Sequence, residues 1–104
     1  MTFTKDIIAN TGIGEIVLEQ IIDIAKQHGV HRLILFGSRA RGNYKERSDI
    51  DLAFAGGDSA AFIYDTNENT DTLLNFDIVD LGQPTSSELL ESIQKEGLII
   101  YEKI

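Results

Sequence analysis

Residues 33–54 read LILFGSRARGNYKERSDIDLAF. Two apolar runs, 33–36 and 50–54, enclose a Gly-Ser turn and a basic connection. Four of the chain's nine basic residues, Arg39, Arg41, Lys45 and Arg47, fall between the runs. Asp49 and Asp51 follow, with one residue between them. In DIDLAF (49–54), Ile50, Leu52 and Phe54 alternate with Asp49, Asp51 and Ala53, the period of a strand with one buried face. RLILF (32–36) suits a buried strand, and SRARG after Gly37 is expected to begin a helix of one or two turns.

Strand alternation puts Asp49 and Asp51 on one face, with Cα atoms roughly 6.5–7 Å apart. Both carboxylates then reach one cation; without it they repel, and one resists ionisation. Strands disfavour Asp, so two on one face call for a reason. A sheet edge open to water is the plain alternative. Hard oxygen ligands favour Mg²⁺, which completes its shell with water and substrate phosphate. Gly37-Ser38 offers backbone N–H groups and a hydroxyl at the start of the short helix. Glycine lets a phosphate approach closely, and Ser38 is expected to cap the helix and donate to a phosphate oxygen. No Gly-Lys-Ser/Thr follows, so this is not a Walker loop. TGIG (11–14) lacks the third glycine of a dinucleotide fingerprint. Taken together, a phosphate cradle beside a metal-binding carboxylate pair suits a Mg-nucleoside triphosphate.

Working outward, EIVLEQIIDIAKQH (15–28) is expected as an amphipathic helix, with Ile16, Val17, Leu18, Ile21, Ile22, Ile24 and Ala25 on one stripe and Gly29 as its stop. Beyond the Gly56-Gly57 break, SAAFIY reads as helical and DTNENTD as a polar turn. FDIVDL (76–81) is a third strand. Thr85-Ser86-Ser87-Glu88 fits a capping box ahead of ELLESIQKE, and Gly97 ends that helix. LIIY (98–101) is a closing strand. The fold class implied is α+β, a small mixed sheet with helices packed on it, in a single domain over 1–104.

Composition agrees with a soluble globular protein: 42% apolar, 25% charged, no cysteine for a disulfide or thiolate site. No stretch is long and apolar enough to cross a bilayer, and the N-terminus lacks a signal-peptide pattern, so a cytoplasmic protein without a membrane role is expected. Residues 1–47 carry seven basic and five acidic groups; residues 48–104 carry two and twelve, giving the net −8. One small basic cluster suits a few phosphates rather than a long nucleic acid.

Gly37-Ser38-Arg39-Ala40-Arg41-Gly42 followed by Ser48-Asp49-Ile50-Asp51-Leu52 resembles the G-S-x-A-R-G … S-D-x-D-L signature of minimal nucleotidyltransferases, in the DNA polymerase β-like superfamily. Residues 76–102 resemble the family's third strand, final helix and closing segment. The resemblance implies transfer of a nucleoside monophosphate, with two Mg²⁺ ions clamping the attacking and leaving oxygens. It implies Asp49 and Asp51 as metal ligands, Gly37 and Ser38 on the β/γ-phosphates, and a third carboxylate on a neighbouring strand. Asp77 and Asp80 compete for that place. Asp77 fits better, because Phe76 and Ile78 then turn to the core, and the family pattern aligns there as well. Arg41, at the motif's fixed arginine, and Arg39 are expected as phosphate contacts. An ion pair is the alternative for Arg41. Lys45 and Arg47 are expected to be solvated, and His28 and His31 to lie near a helix end without catalytic work.

The chain leaves little beyond such a catalytic core, so the acceptor is expected to be recognised in trans. The resemblance implies a small helical partner of the HEPN or substrate-binding-like type. In toxin–antitoxin pairs of this kind, AMP passes from ATP to a tyrosine of the partner. A small-molecule acceptor stays open, as does a second class of function, a binding module that neutralises a helical partner by contact.

Overall fold

The structure, a computed structural model, describes residues 9–103. Helix α1 (Glu15–Gln27) leads to strand β1 (Arg32–Phe36) and a short helix α2 (Gly37–Arg41). Strand β2 (Ile50–Ala55), helix α3 (Ser59–Glu68) and strand β3 (Phe76–Asp80) follow. Helix α4 (Ser87–Glu96) and strand β4 (Leu98–Glu102) complete the order. The strands lie in the order β3-β2-β1-β4. Strand β1 runs antiparallel to β2 and β4, while β2 and β3 are parallel, joined by the crossover through α3. The sheet is mixed, as the order of elements implies.

The two faces are filled unequally. Leu33, Leu35, Ile50, Leu52, Phe54 and Ile100 turn to one side and pack with the buried residues of α1 and with Phe62 of α3. The rings of Phe54 and Phe62 meet at 4.8 Å between centroids. Among the described residues the other side holds only Ile34, Phe36, Ala53 and Ile93 as buried core, with Val79, Leu81 and Leu89 partly covered. Asp51 shares that second face with Ala53, and Asp77 shares it with Val79, by strand alternation.

Helix α1 ends one residue earlier than expected, in a Schellman motif. Gly29 takes φ +73°, its N–H donates to the Lys26 carbonyl, and Val30 N–H donates to the Ala25 carbonyl. Val30 is fully buried beside Ala25, the apolar contact that completes the motif. Of the expected stripe, Ile16 is 65% exposed. At about 100° per residue it lies well outside the arc spanned by Val17, Leu18, Ile21, Ile22, Ile24 and Ala25.

Helix α3 runs through Glu68 and absorbs residues expected to turn. Asp58 caps its start, accepting from Ala61 N–H at 3.2 Å. Phe62 and Thr66, four apart, bury one face. Asp65 anchors the other end by a 2.8 Å contact with His28 Nε2. Hydrogen bonds from His28 and Asn69 hold the Asp65 carboxyl below its ordinary range. Tertiary partners therefore outweigh the weak helix propensity of this polar run. Strand β3 stops at Asp80, with Leu81 already in the turn.

At α4 the cap sits one residue later than the Thr85-based reading. Ser86 is the N-cap, its Oγ accepting from Leu89 N–H at 3.2 Å, while Thr85 Oγ1 donates to the Gln83 carbonyl. Ser86→Ala should therefore cost about 1 kcal/mol in urea unfolding, and Thr85→Ala no more than about half of that. Equal losses at the two positions would restore the Thr85 cap.

Candidate active site

Strand pairing brings the acidic residues together. Phe36 at the end of β1 pairs with Asp51, and Asp51 pairs in turn with Asp77 across the parallel β2–β3 ladder. Asp49 is exposed in the loop just before β2, one residue short of the strand expected for it. The Asp51 carboxyl is pushed up to about 6. Burial contributes most, then the charges of Asp77 and Asp49, with Arg41 and Arg39 opposing. The second face thus puts a repelling carboxylate cluster where a continued core would otherwise lie.

Gly37 is the counterpart of Asp51. Its φ is +74°, and a Cβ there would overlap the Asp51 carboxylate. A side chain at 37 is excluded first by this close approach and second by the left-handed backbone. The glycine's requirement, read from sequence as room for a phosphate, is in the structure room for a carboxylate. Ser38 does not cap α2. Phe36 occupies the N-cap position without a side-chain bond, and the Ser38 carbonyl accepts from Gly42 and Asn43 N–H. The chain enters α2 too abruptly from β1 for Ser38 to lie outside the helix.

The basic connection divides into distinct roles. Arg39, expected as a phosphate contact, is 1% exposed. Its guanidinium donates to the carbonyls of Ser48, Thr11 and Glu46 and lies over the Tyr44 ring. Its burial and these three backbone bonds tie it to the loop rather than opening it to a phosphate. Arg41 is exposed and donates to Glu96 Oε2 at 2.6 Å, linking α2 to α4. Lys45 and Arg47 are exposed, as expected. Ser48, not singled out from sequence, closes the loop: its Oγ accepts from Lys45 N–H at 2.8 Å, and its own N–H donates to the Lys45 carbonyl. Ile50 N–H donates to the Asn75 carbonyl and draws β3 alongside. Asp80 faces away from Asp77, and its carboxylate accepts from Gly82 N–H at 2.8 Å, a turn role.

Among the described residues no three His, Asp or Glu side chains are grouped closely enough to hold a metal ion unaided. Asp49, Asp51 and Asp77 are therefore not a closed cage. The donor set still fits Mg²⁺, which takes one or two carboxylates and the rest of its shell from water and phosphate. Asp51 is partly buried against two other acids, and a divalent cation would relieve that repulsion.

Residues 19–104 match the family described as polymerase beta, nucleotidyltransferase. The chain belongs to that family. This nucleotidyltransferase is 33% identical over 81 residues to the candidate protein adenylyltransferase MJ0604 of Methanocaldococcus jannaschii, covering 69% of this chain and 79% of the relative. In fold it is similar to a chain in the crystal structure of a toxin-antitoxin with AMP-PNP, at a TM-score of 0.66 and 22% identity over 83% of this chain and 73% of that one. It is also similar to a candidate nucleotidyltransferase from Sulfolobus solfataricus, at a TM-score of 0.55 and 20% identity over 99% and 93%. No helix among the described residues is long and apolar enough to cross a membrane.

Two outcomes follow for the metal-free protein. Because the folded Asp51 carboxyl lies above its ordinary 3.8, its protonated form favours the fold, and that stability is lost as pH rises through about 6. Asp51→Asn should raise stability near pH 8 in chelator by about 1 kcal/mol, after allowance for solvent screening, and leave it unchanged near pH 4. Thermal melts at the two pH values check this. Gly37→Ala should cost about 2 kcal/mol or more, and less in an Asp51→Ala background, where the overlap is removed and only the left-handed backbone is penalised. Equal costs in both backgrounds would contradict the close approach.

Proposed function

We propose that this nucleotidyltransferase transfers AMP from ATP to a hydroxyl of a helical partner protein of the HEPN type, in a Mg²⁺-dependent reaction. One observation carries the chemistry: Asp51 and Asp77 are directly opposed on parallel strands, with Gly37 backed against the Asp51 carboxylate. The choice of AMP and of a protein acceptor is supported by the adenylyltransferase name of the Methanocaldococcus relative and by the AMP-PNP in a structural neighbour. A partner protein is supported by the toxin-antitoxin assemblies among those neighbours.

In this reading the triphosphate's β/γ end lies along Gly37 and Ser38, using the Ser38 hydroxyl and backbone. Arg41 adds positive charge. Its exposed bond to Glu96 contributes at most about 1 kcal/mol, so a phosphate can replace it. Asp49, Asp51 and Asp77 would hold Mg²⁺, which when bound neutralises developing charge on the phosphate oxygens. The acceptor oxygen attacks the α-phosphorus, the bond to the bridging oxygen breaks, and pyrophosphate departs. Asp77, the more exposed of the opposed pair, would take the acceptor's proton. Asp51 is suited to coordination, since its raised proton affinity marks a site that wants positive charge.

The test is incubation with α-labelled ATP and Mg²⁺, with and without helical proteins encoded beside it. Label should move to the partner, and Asp49→Asn with Asp51→Asn should abolish transfer, a loss of at least about 10³-fold. Partner neutralisation that survives undiminished in that double variant, with no label transferred by the wild type, would favour the contact-only reading instead.

A further inference from the structure

Arg39 is the largest fully buried side chain in the described structure, and it is a cation. Among the described residues it makes no ion pair. Its three hydrogen bonds go to neutral carbonyls from separate parts of the chain. Nη1 donates to Thr11 at 2.8 Å, Nε to Ser48 at 3.0 Å and Nη2 to Glu46 at 3.2 Å. Its Cζ lies 4.8 Å from the centroid of the Tyr44 ring. The same ring fills the space a side chain at Gly12 would need, and Gly12 takes φ +67°. Thr11 is fully buried, and its Oγ1 accepts from Ile13 N–H.

A buried charge is expensive unless its donors are satisfied, so this arrangement has to offset a large desolvation cost. An apolar residue would fill the space at less cost but could not gather carbonyls. The planar guanidinium can hold several acceptors in fixed directions, which a lysine cannot. What it gathers is informative. Ser48 is the residue before Asp49, Glu46 belongs to the same loop, and Arg39 itself follows Ser38 on α2. One group therefore fixes the carboxylate loop relative to the Gly37-Ser38 bend.

We propose that Arg39 is a positioning residue that sets the place of Asp49 against the Gly37-Ser38 bend, and that through Thr11, Gly12 and Tyr44 the segment before α1 becomes part of the active site. Its catalytic consequence rests on the function proposed above; the clamp itself does not. Opening the 42–49 loop would separate Asp49 from Asp51 and weaken metal use, while the bend and the Asp51–Asp77 register stay.

The decisive variants are Arg39→Lys and Tyr44→Leu, the second removing the ring face without changing charge. Backbone amide exchange in the wild type should show protection in both 9–13 and 42–49. Arg39→Lys should lose it in both segments together, while the strands stay protected. In the transfer assay, run where each protein is fully folded, kcat should fall about 10- to 100-fold and the Mg²⁺ concentration for half-maximal rate should rise, with the KM for ATP changing less than about threefold. Tyr44→Leu should move the same readouts in the same direction, and it carries the measurement if Arg39→Lys fails to fold. A lowered melting temperature with unchanged exchange, kcat and Mg²⁺ requirement would overturn the proposal, as would loss of protection in 42–49 alone. If the wild type transfers no nucleotide, the proposed function falls, and the exchange pattern still decides the clamp.

Discussion

Asp51 lies between opposing demands, and the site is organised around the balance. The β2–β3 register sets it against Asp77, the loop sets Asp49 nearby, and burial removes much of the water that would separate these charges. Its carboxyl responds by holding its proton to about pH 6. The surrounding parts answer that one strain. Gly37 has no side chain because the carboxylate lies there, and two arginines on α2 lend opposing charge from opposite environments, one buried and one exposed.

The two faces of the sheet explain how the chain tolerates this. Most of the buried apolar side chains among the described residues pack with α1 and α3 on one side, where the core is continuous from Ile13 to Ile100. Among the described residues the other side has a core of four, three from the strands and Ile93 of α4. Repulsion between carboxylates on that thinner side subtracts from stability without entering the main packing. A site built into the continuous face would have forced ionisable groups among fully buried neighbours, where each costs far more.

Much of this was readable before any coordinates. Alternation in 49–54 and the apolar run at 32–36 gave the central strands, and the choice of Asp77 over Asp80 followed from sending Phe76 and Ile78 inward. The larger parts that were not readable share a cause: they depend on contacts between residues far apart in the chain. The polar end of α3 stays helical because Asp65 meets His28, 37 residues earlier. Arg39 looks like a phosphate ligand in sequence because its carbonyl acceptors carry no side-chain signature. Ile16, well outside the buried arc, and the cap read one residue early at Thr85 are local errors of phase.

Arg39 changes the meaning of the basic cluster that first draws attention in the sequence. Four cations beside two carboxylates suggest a shared phosphate ligand, with Arg39 and Arg41 as its expected contacts. In the fold, Lys45 and Arg47 face water, Arg41 reaches across to α4, and only Arg39 is enclosed. Among the described residues the enclosed one is hydrogen-bonded to backbone carbonyls, so its charge organises the loop while its field still opposes the ionisation penalty on Asp51. A neutral clamp of the same shape would hold the loop but leave Asp51 harder to ionise. A free arginine would do the reverse. Placing one guanidinium where it does both links the geometry of the carboxylates to their charge.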